Sequence, residues 1–353
     1  MPPVILRESL GLAVPLIQAP MAGVSTPALA AAVSNAGALG SLGLGASDAT
    51  GAHAMIAETR ERTGRPFAVN LFVHATPVPN AAREAAWLDC LAPHFASYGA
   101  TPPTALRTIY RSFADDPDML AMLLETAPLV VTFHFGLPPA ETIAALRARD
   151  ILLMATATNR DEARAIESAG IDMIVAQGIE AGGHRGMFDP AAPDDALGTM
   201  ALTRLLVRDA GIPVVAAGGI MDGAGIAAAL DLGAVAAQLG TAFVACDESA
   251  ADSGYRAALA SAAAWHTTMT ALISGRPARC LANRFTALDP HGLSGPDYPI
   301  AYDAGKALHA AAKAQGEHGF GAHWAGQGAP LSRPMPAAAL VRLLADELAA
   351  VTD

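Results

Sequence analysis

Short runs of β-branched and apolar residues alternate along this chain with alanine-rich stretches of helical character. Eight of the short runs predict strands: residues 14–18 (VPLIQ), 38–43 (ALGSLG), 67–72 (FAVNLF), 129–134 (LVVTFH), 150–155 (DILLMA), 171–176 (IDMIVA), 213–217 (PVVAA) and 234–239 (AVAAQL). The helices between them carry start and stop signals. Asn159 is placed to cap DEARAIESAG and Gly170 to end it, and Asp222 and Gly233 bracket the helix after the seventh strand in the same way. Strand then helix, repeated eight times, is the pattern of parallel βα units and favours a closed (β/α)8 TIM barrel over an open doubly wound sheet.

Two stretches break the rhythm. Residues 75–127 are rich in proline and aromatics, and residues 265–332 read as loops and short helices full of glycine and proline. Long irregular segments in compact domains are usually lids or binding loops, so both are expected to cover the C-terminal mouth of the barrel. The expected organisation is a barrel from residues 1–264 and 333–353, carrying the 75–127 insertion, with 265–332 lying over the active site.

Composition narrows the function classes. With 353 residues, 52% of them hydrophobic, the chain can bury a large core as one domain. It contains no uninterrupted apolar run of about 18 residues, the length that spans a bilayer, and MPPVILRESLG lacks a basic region followed by an apolar stretch and a cleavage site. The expectation is a soluble, cytoplasmic protein without a membrane partner. Cys90, Cys246 and Cys280 are far apart and form no CxxC pair, and no HExxH or similar short spacing occurs, so no metal is expected. A net charge of −11 without a visible Lys/Arg cluster argues against nucleic acid. Lysine occurs only at 306 and 313, against twenty arginines (22 minus 2), which makes Lys306 conspicuous.

Candidate chemistry gathers at predicted strand ends. In PVVAAGGIMDGAG, residues 213–225, a strand runs straight into Gly218 and Gly219, whose bare backbone lets N–H groups approach a phosphate while the next helix adds its dipole. In QLGT, residues 238–241, the following strand ends on Gly240 and Thr241. Either motif alone is equally well read as a tight βα turn. Both on consecutive strands, where barrels often bind phosphate, favour a phosphorylated ligand. The sixth strand enters AQGIEAGGHRGMF, residues 176–188, where Gly182 and Gly183 can lay backbone against a flat ligand and His184 stands at the tip. Histidine suits proton transfer near neutral pH, which makes His184 the first candidate for a general base, although a histidine there can also simply hydrogen-bond its loop. Gln177 and Asn70, at strand ends, could pair with the donor and acceptor edge of an isoalloxazine ring, or could be ordinary strand-end polar residues.

Taken together these segments resemble the nitronate monooxygenases, formerly called 2-nitropropane dioxygenases, and their first class in particular. The resemblance is carried by QAPMAGVSTPALAAAVSNAGALGSLG at 18–43, VNLF at 69–72, TFHFG at 132–136, AQGIEAGGHRGMF, AAGGIMDG, QLGTAF, DYPIAYDAGKAL at 297–308 and WAGQGAPLSRPMPA at 324–337, covering almost the whole chain. It implies FMN as cofactor, contacted by Met21, Asn70, Gln177, Gly182, Gly219, Gln238, Leu239, Gly240 and Thr241. It implies His184 as catalytic base, with His134, Tyr110, Tyr298, Tyr302 and Lys306 lining the substrate side. The implied reaction is oxidation of an alkyl nitronate, such as propionate 3-nitronate, by O2 to a carbonyl compound and nitrite, beginning with one-electron transfer to the flavin. Such a role would be detoxifying. An FMN-dependent NAD(P)H oxidoreductase, a quinone or enoyl reductase, shares the glycine-rich loops and is the competing enzyme. A non-catalytic flavin or sugar-phosphate barrel would keep the phosphate loops but has no use for His184 beside Lys306 and tyrosines.

Overall fold

A computed structural model describes residues 10–352. In chain order its first part contains β1 (Leu16–Gln18), α1 (Pro27–Asn35), β2 (Gly40–Gly43), α2 (Ala49–Arg62) and β3 (Phe67–Phe72). Then come α3 (Ala81–Ala96), α4 (Pro117–Thr126), β4 (Val130–His134), α5 (Ala140–Arg147), β5 (Leu152–Ala157), α6 (Arg160–Ser168) and β6 (Met173–Gln177). The next elements are β7 (Gly183–His184), α7 (Thr199–Asp209), β8 (Val214–Ala217), α8 (Gly223–Asp231), β9 (Ala236–Leu239), α9 (Thr241–Val244) and α10 (Ser253–Leu259). The last are β10 (Thr267–Thr270), β11 (Ala278–Leu281), α11 (Ile300–Ala314) and α12 (Ala337–Thr352).

Eight strands pair in parallel in the order β1-β9-β8-β6-β5-β4-β3-β2, and the parallel bridge Ile17–Leu39 closes the ring between β1 and β2. The protein is a TIM barrel, and all eight predicted strands are present. Their ends differ by one or two residues because helix termini claim the flanks. Asp150 adopts a left-handed φ of 57° and its N–H donates to the Arg147 carbonyl, so the fifth strand starts at Leu152 rather than 150. Ile171 likewise donates back to Ile166 as it leaves α6. The predicted caps are in place: Asn159 accepts from the Glu162 N–H and Asp222 from the Gly225 N–H, while Gly170 and Gly233 take positive φ at the helix ends.

Period-2 alternation along the strands sorts the barrel into layers. Ala68, Val130, Met154, Met173, Val215 and Ala236 point inward and plug the lower half as one apolar cluster. Their neighbours Val69, Val131, Leu153, Ile174 and Val214 point outward into the core beneath the helices. Two positions further along, toward the C-terminal mouth, four of these strands turn polar residues inward, Asn70, Thr132, Thr156 and Gln238, while Val175 and Ala217 keep the other two apolar.

Within the 75–127 stretch, α4 joins the helix ring, with Met119, Met122 and Leu123 in the barrel's outer core. The helix α3 instead packs on α11. Trp87, Leu91 and Phe95 share an apolar cluster with Ile273, Phe285, Leu308 and Phe320. The 265–332 segment departs from the expected loops and short helices. It contains β10 and β11, which form an antiparallel sheet with β7, and the 15-residue α11. Its apolar positions Ile300, Ala301, Ala304, Leu308 and Ala312 recur at helical spacing and are buried, a signal masked in the sequence by the glycines and prolines around it. No helix among the described residues is long and apolar enough to cross a membrane.

Candidate active site

The polar upper layer of the barrel and the 265–332 segment enclose a cavity of about 480 Å³. It lies where (β/α)8 barrels carry their reactive groups, at the C-terminal strand ends. Asn70, Gln177, Gln238 and Met21 all line it. The Asn70 amide nitrogen donates to the Thr132 hydroxyl at 2.8 Å and to its carbonyl at 3.2 Å. Gln177 donates to the His184 carbonyl at 3.0 Å and accepts from the Gly186 N–H at 2.8 Å, so both ends of its amide brace the glycine-rich loop. Arg185, fully buried, ties the same loop to the Gln177 carbonyl and pairs with Asp194 at 2.8 Å.

Leu239 is the exception among the cofactor-side residues. It is 1% exposed and packs with Leu16, Phe243 and Leu344 in the core under the helices. The reason is the strand period: if Gln238 faces the cavity, its neighbour must face away.

The glycine end of the cavity is lined by backbone. Gly218 and Gly219 have φ of 124° and 70°, conformations that side-chain-bearing residues rarely adopt. A Cβ on Gly218 would lie 2.6 Å from the Thr199 hydroxyl, and one on Gly182 would overlap the Gly326 N–H. Gly183, also at positive φ, lines the cavity beside them. Among the described residues neither the Gly219 nor the Gly240 N–H donates to a backbone carbonyl. Thr241 stands at the start of α9 and accepts from the Gly326 N–H at 3.0 Å. The start of α8 is a poorer anion site than the sequence pattern predicts, because the Asp222 carboxylate already accepts from Gly225. The free donors therefore sit before that helix, in the two glycine turns. Their geometry suits the oxygens of a phosphate.

His184 lines the same cavity. Its strand β7 pairs antiparallel with β11, with His184 facing Ala278 and Gly183 facing Arg279 in register. The His184 Nε2 lies 2.8 Å from the Ser274 hydroxyl, and its carbonyl also receives His134 Nε2 at 3.1 Å. His134 Nδ1 meets the Thr156 hydroxyl at 3.0 Å. Both ring nitrogens of His134 thus serve the protein, and it reaches the cavity as a brace for the His184 loop. Burial, with Arg276 nearby, holds His134 down to about 4. Burial, reinforced by His134 and Arg276, holds His184 down to about 3. Both rings are therefore neutral near pH 7.

Around His184 the structure brings the three predicted tyrosines together. Tyr298 and Tyr302 lie 5.3 and 6.2 Å from its ring, centroid to centroid, and Tyr110 lies 6.4 and 6.0 Å from the two of them. Burial raises Tyr110 to about 12 and lifts Tyr298 and Tyr302 further, so all three are hydroxyl donors at neutral pH. The Tyr298 hydroxyl is buried and has no hydrogen-bond partner among the described residues. Lys306 places Nζ 5.0 Å from the Tyr110 ring centre and 5.3 Å from that of Tyr302, and forms no salt bridge among the described residues. Partial burial lowers its pKa.

Sequence reasoning missed Ser274 and Arg276. Arg276 is buried, sits 4.1 Å over the Phe135 ring and donates to the Met187 carbonyl; burial lowers it to about 10. Ser274 contacts His184 from ninety residues away and Arg276 acts on it through its charge, and no local spacing announces either. Trp324, 5.1 Å from the His184 ring, lies within a segment whose motif stood out but whose individual role did not.

A closed barrel whose mouth brings glycine turns, a neutral histidine, buried phenols and Lys306 into one cavity defines an enzyme of the (β/α)8 class. The chain belongs to the nitronate monooxygenase family, whose model matches residues 5–347. It is 64% identical over 345 residues to a nitronate monooxygenase of Paraburkholderia phytofirmans, covering 97% of this chain and 94% of that protein. A nitronate monooxygenase of Pseudomonas aeruginosa is 56% identical over 341 residues, covering 96% and 97%. Among solved structures, a nitroalkane oxidase from Streptomyces ansochromogenes superposes with a TM-score of 0.89 at 42% identity over 99% of both chains. FabK from Thermotoga maritima superposes at 0.74 with 29% identity, covering 98% and 96%.

Proposed function

We propose that the cavity binds FMN and that the enzyme oxidises alkyl nitronates, propionate 3-nitronate foremost, with O2 to a carbonyl compound and nitrite. In this reading residues 1–264 and 333–353 form the flavin-holding barrel and 265–332 its substrate-side cover. The observation that carries it is the placement of neutral His184 among Tyr110, Tyr298, Tyr302 and Lys306 in the same cavity as the glycine turns.

The Gly218–Gly219 and Gly240–Thr241 turns would hold the phosphate through backbone N–H groups, and Met21, Asn70, Gln177, Gly182, Gly183 and Gln238 would border the ring system. When bound, the flavin supplies the electron acceptor for the nitronate and the centre that engages O2. The residues of this chain then do three things. Lys306 and the phenolic hydroxyls offset the negative charge of a nitronate in a site with few other positive groups, and hydrogen bonds to such an anion are strong where water is scarce. Lys306 can also receive a substrate carboxylate. His184, being neutral, can take the α-proton of a nitroalkane. The burial that penalises an isolated imidazolium is relieved at that moment, because the product of the transfer is an adjacent nitronate anion.

The experiment is to purify the protein with its bound flavin and to follow nitrite release from propionate 3-nitronate in air, with NADH as the control substrate. Nitrite formed from the nitronate without NADH supports the reading. Absence of nitrite, together with rapid NADH oxidation, would replace it with an NAD(P)H-dependent reductase.

A further inference from the structure

We infer that Ser274 is a positioning residue that fixes the tautomer of His184, holding the ring proton on Nε2 and leaving Nδ1 as the basic nitrogen. The catalytic consequence rests on the reading of His184 as the base; the tautomer itself does not.

The Ser274 side chain is fully buried, and its hydroxyl has a single proton with two possible receivers. One is the Arg276 carbonyl at 3.2 Å, which can only accept. The other is His184 Nε2 at 2.8 Å. With the histidine proton on Nδ1, both neighbours would be acceptors competing for one hydroxyl proton, and one buried bond would be lost. With the proton on Nε2, the histidine donates to Ser274 and Ser274 donates to Arg276, so both bonds form. A buried acceptor left without a donor is the costlier arrangement.

The rest of the site keeps the ring from escaping this arrangement. Gln177 and His134 both donate to the His184 carbonyl, which pins the backbone. Phe135 at 5.6 Å, Tyr298 at 5.3 Å and Trp324 at 5.1 Å frame the imidazole. Nδ1 has no hydrogen-bond partner among the described residues, and His184 lines the cavity. A lone pair on that nitrogen, directed at the cavity, is what abstraction of a substrate proton requires. Geometry that leaves a catalytic imidazole intact but in the wrong tautomer is known to cost about 10⁴-fold in a serine protease.

The test labels histidine with 15N in the flavin-loaded protein and assigns His184 by the resonances lost in His184→Asn. The inference expects the non-protonated nitrogen of the wild-type ring to be Nδ1. In Ser274→Ala the two tautomers should mix, and in Ser274→Thr, which keeps the hydroxyl, the wild-type pattern should return. Turnover of neutral nitroethane should fall about twofold in Ser274→Ala, as the competent tautomer drops from about nine-tenths, the share that one net hydrogen bond sustains, to about one half. Nitronate turnover and KM should stay unchanged, and the threonine variant should recover. A wild-type ring protonated on Nδ1 overturns the inference, as does an equal loss on nitroethane and its nitronate. The wild-type spectrum and the threonine variant keep the test decisive if the alanine variant folds poorly. An Nε2-protonated ring combined with unimpaired nitroethane turnover in His184→Asn would retain the tautomer assignment and remove only the base reading.

Discussion

The strand wall of the cavity and the wall laid over it by residues 265–332 place their side chains in different ways. On the strand wall, position follows from period: Ala68 and Val130 fill the barrel, and Asn70 and Thr132 two residues later reach its mouth. On the covering wall nothing periodic connects Ser274, Arg276, Tyr298 and Lys306; the β7–β11 pairing and the packing of α11 on α3 bring them to His184. The first wall is suited to a cofactor whose shape is constant, the second to a substrate and a proton. His184 stands on the seam, braced from below by Gln177 and His134 and from above by Ser274.

The largest effect should come from removing the group on the seam. His184→Asn is expected to slow turnover of neutral nitroalkanes by about 10²- to 10⁴-fold, the contribution of a general base, and to leave nitronate turnover within a few-fold. Steady-state nitrite assays on nitroethane and its nitronate measure both, and equal losses would break the division between the walls.

A mutation behind the strand wall should do the reverse. Leu239→Ala opens a cavity in the outer core and should cost about 2–5 kcal/mol of stability, read by urea unfolding. The folded fraction should keep its affinity for FMN and its kcat. A large loss of flavin affinity at full folding would return Leu239 to the cofactor site.

On the covering wall, Lys306→Met should raise KM for propionate 3-nitronate about tenfold, as expected for a charge-assisted contact at a partly solvated site. The nitronate of 2-nitropropane, which has no carboxylate, should be affected much less. Equal changes in the two KM values would assign Lys306 to the nitronate group alone.

The smallest effect concerns pH. His184 and His134 ionise near 6.5 when unfolded but are held to about 3 and about 4 in the fold. As pH falls below about 6.5 the unfolded chain binds protons first, so the stability that goes with neutral rings is complete above that value and is lost progressively toward pH 4 and 3. Thermal melts should show a smaller acid-side fall in Tm for His184→Asn than for the wild type. Parallel curves would mean that the ring is not held neutral by burial.

Much of the strand wall was legible in the sequence because its determinants are local. Asn159 and Gly170 mark one helix, and Gly218 and Gly219 mark a turn by conformations that other residues avoid. Leu239, expected beside the cofactor as part of a continuous run, turns its side chain into the outer core, because strand alternation sends adjacent residues to opposite faces. The glycine turns were legible, while the role of Asp222, whose carboxylate accepts from the Gly225 N–H at the start of α8, shows only in the fold. His134 was correctly brought to the cavity, while its commitment to Thr156 and the His184 carbonyl depends on pairings across strands. Ser274 and Arg276 could not be found locally, since what makes them matter is a contact made by the tertiary fold.

The most direct measurement is to mix the flavin-loaded enzyme anaerobically with propionate 3-nitronate and, separately, with NADH, and to follow the flavin absorbance. The account predicts rapid loss of the oxidised flavin band with the nitronate and none with NADH. Bleaching by NADH with no response to the nitronate would contradict it.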